Sequence, residues 1–273
     1  MQKRYLSEAI TADLKEKMVF LGGPRQVGKT TFGRKTIAAH YRQPAYFNWD
    51  YRPDRQDILN FTWPAEADLL FFDEIHKYKK WKNLVKGLYD KHRDDFDILV
   101  TGSARLDLYR RGGDSLQGRY HYYRLHPFSL AEASGRSGQQ KPGSPLTFSP
   151  NKSDVNILKQ LLAFGGFPEP FIAQNEKRLR RWRNERLERL FREDIRDTEI
   201  IRDLSSMELL ADLLPTKAAG QLSINTLRED LEVSHKAVKR WLDLLERFYY
   251  HFRIYPFAGR KIRSLKKEPK LYL

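Results

Sequence analysis

Gly23-Pro-Arg-Gln-Val-Gly-Lys-Thr-Thr31 follows the apolar run Met18-Val-Phe-Leu-Gly22 and fits G-x-x-x-x-G-K-S/T at every fixed position. Each fixed position has a physical reason. Gly23 and Gly28 permit backbone angles that a side chain forbids, so the N–H groups of Pro24 to Thr31, the proline excepted, can turn inward toward an anion. Lys29 is long enough to reach the outer phosphates of a nucleoside triphosphate, and the Thr30 hydroxyl suits a Mg²⁺ ion. A helix starting near Lys29 aims its positive end at the same charge. Gly23, Pro24, Arg25, Gln26, Val27, Gly28, Lys29, Thr30 and Thr31 are therefore expected to bind ATP.

Working outward, residues 1–130 alternate short apolar runs with helix-compatible stretches, which is the rhythm of a parallel α/β sheet. Strands are expected at Met18–Gly22, Ala45–Asp50, Asp68–Phe72, Phe96–Thr101 and Tyr120–Leu125, and helices at Lys29–Ala39, Trp81–Arg93 and Leu106–Arg111. The third and fourth strands are nearly continuous apolar runs, as parallel strands covered on both faces should be. Asp73 and Glu74 close the third run, where Asp73 would serve Mg²⁺ through a water and Glu74 would act as general base on the attacking water. The fourth ends in Thr101-Gly-Ser103, and either hydroxyl could sense the terminal phosphate. Arg119 and Arg105 are candidates to neutralise the charge that develops there, from this chain or a neighbouring one.

Asn151-Lys-Ser-Asp154 matches the N-K-x-D string that reads guanine, but it sits in a Gly/Pro-rich stretch rather than at the end of a buried strand. The acidic motif also lacks the glycine of a GTPase switch, so adenine is expected as the base.

The chain of 273 residues has room for two domains, and 40% apolar residues allow a real core. The boundaries expected are 1–132 for the nucleotide domain, 133–154 for a linker or long loop, and 155–273 for a helical connection and a winged-helix-like domain. Helices are expected at Ile157–Phe164, Glu176–Arg196 and Ser205–Leu214. A helix-turn-helix follows, with Ser234 capping a second helix over Lys236–Phe248 and the aromatic run Phe248–Tyr255 supplying a strand pair. Its exposed Lys236, Lys239 and Arg240 are candidate contacts to DNA or a protein partner.

The net charge of +15 suits a polyanionic partner, although it is spread over both halves of the chain. No apolar run reaches the roughly 20 residues that a membrane-spanning helix needs. With no cysteine and no apolar leader, the expected location is the cytoplasm.

The phosphate loop, Phe72-Asp-Glu-Ile75, Thr101-Gly-Ser103, Leu116-Gln-Gly-Arg119, Pro127-Phe-Ser-Leu-Ala-Glu132, Gly165-Gly-Phe-Pro168 and Arg192-Glu-Asp-Ile195 occur in this order. In that combination the chain resembles the prokaryotic, archaeal-type AAA+ ATPases with a C-terminal winged-helix domain of unknown function. The resemblance spans almost the whole chain. It implies a five-stranded parallel sheet in the order 5-1-4-3-2, ATP hydrolysis with Mg²⁺, a functional role for Arg119, and assembly of copies if that arginine acts between them. Family members usually continue past Lys-x-Pro-Lys-Leu-Tyr into a further, often nuclease-like domain, and no nuclease activity carries over to a chain ending at Leu273.

Overall fold

The computed structural model describes residues 4–103, 106, 116–136, 145, 152–195, 203–257 and 267–273. Two compact units are present, residues 1–182 and 183–273.

The first unit is built on five parallel strands: β1 (Met18–Gly22), β2 (Pro44–Asn48), β3 (Leu69–Asp73), β4 (Asp97–Thr101) and β5 (Tyr120–Arg124). Their order across the sheet is β2-β3-β4-β1-β5, which is the expected order read from the other edge. β1 and β3 are buried at every position, because helices cover both faces.

Alternation along the strands sorts their side chains into two cores. Met18, Phe20, Leu70, Phe72, Ile98 and Val100 point to one face and pack with Ile58 of α3 (Arg52–Asn60) and with Trp81, Val85 and Leu88 of α4 (Trp81–His92). Val19, Leu21, Leu69, Phe71 and Leu99 point to the other and pack with Ile10 and Leu14 of α1 (Ser7–Leu14) and with Phe32 and Ile37. The result is the three-layer α/β architecture expected for a P-loop protein. The sequence reading assigns no element to α1 or α3, both short. The expected helix Lys29–Ala39 is present as one winding path in three forms: α2 (Lys29–Phe32), a π segment over Gly33–Ile37, and a 3₁₀ turn over Ala38–His40.

Beyond β5, Ser129 caps the short helix α5 (Leu130–Ala133), accepting from Glu132 N while the Glu132 carboxylate accepts from Ser129 N. α6 (Lys152–Phe164) and α7 (Pro168–Ala173) follow, and α8 (Glu176–Arg189) runs across the division between the units. The expected helix Leu106–Arg111, apart from the buried Leu106, and most of the expected linker 133–154 lie outside the described residues, as does Arg105.

The second unit holds α9 (Leu204–Leu213), α10 (Ile224–Asp230) and α11 (His235–Arg247). Ser223 and Ser234 cap α10 and α11, each side chain accepting from the backbone N–H three residues on. Leu227, Val238, Leu242 and Leu245 are buried, and Leu231 is half-buried. The expected strand pair within Phe248–Tyr255 does not. Phe248 ends α11, Tyr249 turns the chain at φ 58, and only β6 (Phe252–Ile254) is extended. Its antiparallel partner is β7 (Lys270–Tyr272), from the end of the chain. A three-residue strand directly after a helix leaves no length for a second strand and a turn.

Candidate nucleotide-binding site

The site is assembled at the carboxyl ends of β1, β3 and β4, where parallel strands release their chains into loops. The register pairs Leu21 with Thr101 and Asp73 with Thr101, so these three tips are level.

Gly23 leaves β1 at φ 146, and a Cβ there would stand 2.4 Å from the Leu125 carbonyl oxygen. Gly28 enters α2 at φ 92, and Gln26 is also left-handed at φ 62. The glycines are therefore required for conformation at both positions and for space at the first. Val27 turns inward and is buried against Phe32, which anchors the loop's middle in the core. Thr31 is exposed, and Arg25 and Gln26 are half-buried.

Lys29 is 7% exposed, and its Nζ donates to the carbonyls of Gly23 (3.0 Å) and Pro24 (2.8 Å). The ammonium thus lies folded into the loop whose N–H groups would receive phosphate. The Thr30 hydroxyl donates to Asp73 Oδ2 at 2.6 Å, joining residues from β1's loop and β3. Asp73, 4% exposed, also accepts from the Tyr46 hydroxyl on Oδ2 at 3.1 Å and from Thr101 on Oδ1. A buried carboxylate held by three hydroxyls is a satisfied polar cluster in a place where an unpaired charge would be costly.

Glu74 leaves β3 in the left-handed region at φ 58, its N–H bonded to the Thr101 carbonyl at 3.0 Å. Its Oε2 is 3.7 Å from Lys77 Nζ and 3.7 Å from His76 Nε2. Burial raises the Glu74 carboxyl above the ordinary carboxylate range, against the lowering pull of Lys77 and then Lys29. Lys77 is itself paired with Asp50 at 2.5 Å. The Ser103 hydroxyl is 3.5 Å from Nε2 of the buried His76.

The donor set fits the expected ligands. A hydroxyl beside a carboxylate offers the hard oxygen environment that Mg²⁺ takes. Among the described residues no group of three or more His, Cys, Asp or Glu could hold a metal.

Lys29, Thr30, Asp73, Glu74 and Thr101 are thus brought together. Arg119 is not. Its carbonyl accepts from Met18 N–H at 3.2 Å, at the opposite end of β1 from the phosphate loop. Four strand steps separate the two ends, roughly 13 Å at about 3.3 Å per residue. The guanidinium pairs with Asp90 through Nε (2.5 Å) and Nη2 (3.1 Å). Arg119 therefore lies beside Met18, at the end of β1 away from its own chain's phosphate loop. Lys236, Lys239 and Arg240 are all exposed on α11 of the second unit. Of the N-K-x-D string, Asn151 lies outside the described residues, and Asp154 belongs to α6, ion-paired with Arg136.

Two contributors escaped the sequence reading. Tyr46 bonds the central aspartate, a contact visible only once β2 is known to neighbour β3. Arg4 is buried between Glu132 (3.0 Å), the His126 carbonyl and the Phe128 ring, and so ties the start of the chain to the segment that follows β5. Phe128 N–H donates to Gly166 O at 2.7 Å, which holds Gly165-Gly-Phe-Pro168 beside the loop; Pro168 Cγ would lie 3.8 Å from a Cβ on Gly28.

Residues 15–134 match the family model of an AAA domain, and residues 155–273 match that of a domain of unknown function (DUF8612). An uncharacterized protein of Methanocaldococcus jannaschii, MJ1544, is 24% identical over 92% of this chain and 60% of its own length. The uncharacterized protein Rv2008c of Mycobacterium tuberculosis is 22% identical over 94% of this chain and 54% of its own length. The chain therefore spans little more than half the length of these relatives. Among solved structures, the Aeropyrum pernix Orc1 protein in complex with DNA gives a TM-score of 0.38 at 13% identity, covering 98% of this chain and 87% of that one. The Thermotoga maritima RuvB Holliday junction branch migration motor gives 0.40 at 18%, covering 96% and 93%.

Proposed function

We propose that the protein, whose residues 15–134 match the family model of an AAA domain and form a P-loop sheet, binds ATP with Mg²⁺ and hydrolyses it to ADP and phosphate. The observation that carries this reading is the Thr30–Asp73 hydrogen bond, with Lys29 and Glu74 on the same two loop ends. The loop N–H groups and Lys29 bind the phosphates and stabilise the charge that grows on them. Thr30 and, through water, Asp73 would hold Mg²⁺, which when bound would supply further charge neutralisation. Glu74 takes the proton of an in-line water, and its burial keeps it basic enough to do so. The Thr101 hydroxyl holds Asp73 from the neighbouring strand. Ser103 stands behind His76 in a supporting position.

Because Arg119 stands at the far end of the sheet, we assign it to the site of a neighbouring copy in a homo-oligomer. One experiment tests both roles. Glu74→Gln should bind ATP yet turn it over at least a hundredfold more slowly, within the range that a lost general base costs. Arg119→Ala should be slow as well, and mixing the two variants should restore turnover through mixed interfaces. Undiminished turnover in Glu74→Gln removes Glu74 from its role, and a mixture no faster than its parts removes Arg119.

In the same reading, residues 1–132 are the motor, 133–154 the linker, and 155–273 the module that carries the nucleotide state to a partner in the cytoplasm. A second reading makes the protein an ATP-gated DNA-binding regulator in which slow hydrolysis resets a switch. It is favoured by one observation: Lys236, Lys239 and Arg240 project from α11, which follows a Ser-capped turn and precedes a two-stranded hairpin, the layout of a winged helix.

A further inference from the structure

Asp73 is the point where the metal-binding half of the site is held, and its carboxylate is not fixed by its own rotamer. The terminal torsion of an aspartate is broad, so the plane of the two oxygens is set by their partners. Two partners come from segments already assigned to the site: Thr30 on Oδ2 and Thr101 on Oδ1. The third, Tyr46, comes from β2, a strand with no other side chain bonded to Asp73 among the described residues.

The sheet explains how it gets there. Tyr46 is in register with Phe71, so it shares a face with Phe71 and with Asp73 two residues further on. A short side chain could not cross that diagonal, but the phenol can, and its hydroxyl reaches Oδ2 at 3.1 Å. The ring is held on both sides. It packs against the Phe71 ring in an edge-to-face arrangement, with centroids 5.1 Å apart, and the Arg34 guanidinium lies 4.6 Å over its face. Arg34 is in the π segment that continues the phosphate-loop helix, so the tyrosine is clamped between the two elements whose spacing the metal must match.

We propose that Tyr46 is a positioning residue for the Mg²⁺ site: it fixes the Asp73 carboxylate in the orientation that receives the ion's water while Thr30 turns its oxygen to the ion. Removing an outer partner of a metal ligand typically weakens metal affinity about 10- to 100-fold. Here Asp73 acts through water and keeps two other donors, so the effect should lie at or below the lower end. This inference rests on the reading of the site as an ATP–Mg²⁺ site.

The test is Tyr46→Phe, which keeps the ring and its packing and removes only the hydroxyl. Binding of a fluorescent ATP analogue is followed while Mg²⁺ is titrated. The expected result is a Mg²⁺ midpoint raised roughly threefold to tenfold, with analogue affinity recovering toward that of the natural protein at saturating Mg²⁺. A loss of affinity that high Mg²⁺ does not restore would mark a general packing defect and overturn the proposal. An unchanged midpoint would overturn it too, while leaving the nucleotide reading intact. If the natural protein shows no Mg²⁺-dependent binding at all, the nucleotide reading falls and takes this role with it.

Discussion

Glu74 and Lys77 face each other across 3.7 Å at the mouth of the site, and their opposition yields a pH signature. Burial raises the Glu74 carboxyl, and Lys77 is the largest influence pulling it back. A general base works only when deprotonated, so activity is present above its folded pKa and lost as pH falls through it. The acid limb of kcat/KM, which reports the free enzyme, should therefore lie above the value near 4.3 of an ordinary glutamate. In Lys77→Ala the opposing charge is gone and the limb should move further up. A pH–rate series on both proteins decides this: an acid limb in the ordinary range, or one that moves down in the variant, would show that another group titrates. Most of these residues were legible singly. Lys29, Thr30, Asp73 and Glu74 belong to local patterns whose spacing carries their chemistry. Tyr46 and Arg4 carry no such pattern, because the side-chain contacts of each are with residues distant in sequence.

Among the elements, capping is where local chemistry spoke most directly. Ser234 was expected to cap a helix from Lys236 to Phe248, and the helix found runs His235–Arg247 with the Ser234 hydroxyl accepting from Ala237 N–H. Ser234→Ala should lower the stability of the second unit by about 1 kcal/mol. Chemical denaturation of the variant measures this, and an unchanged midpoint would mean the cap contributes nothing. The hairpin went the other way. Alternating aromatics in Phe248–Tyr255 satisfy a strand pattern, but alternation does not name a partner, and the partner came from Lys270–Tyr272. The phosphate-loop helix also holds more than periodicity reveals. It passes into a π segment at Gly33, where a Cβ would stand 2.5 Å from the Phe71 ring. The helix therefore sits tightly on β3, and π turns of this kind are often found beside functional sites.

For the whole molecule, charge is the property with most reach. An excess of +15 draws polyanions in general, so binding to DNA alone would not identify α11 as the reader. The salt dependence does. If Lys236, Lys239 and Arg240 meet phosphates, replacing all three by alanine should weaken DNA binding and flatten the slope of log affinity against log salt by roughly 0.9 per lost contact. An unchanged slope would make α11 a docking surface for protein and leave the regulator reading without support. No helix among the described residues is long and apolar enough to cross a membrane.

The phosphate loop, the acidic pair after an apolar strand and the alternation of strand and helix were enough to name a P-loop sheet, and they motivate the proposed ligand. Those features are local: each depends on backbone freedom, burial or reach within a few residues, and the chain order preserves them. The placement of Arg119 at the far end of β1, the three hydroxyls on Asp73 and the pairing of β6 with β7 could not be read this way. They depend on register between strands that are remote in the chain. Register is set by how two whole faces pack, not by the residues that happen to meet.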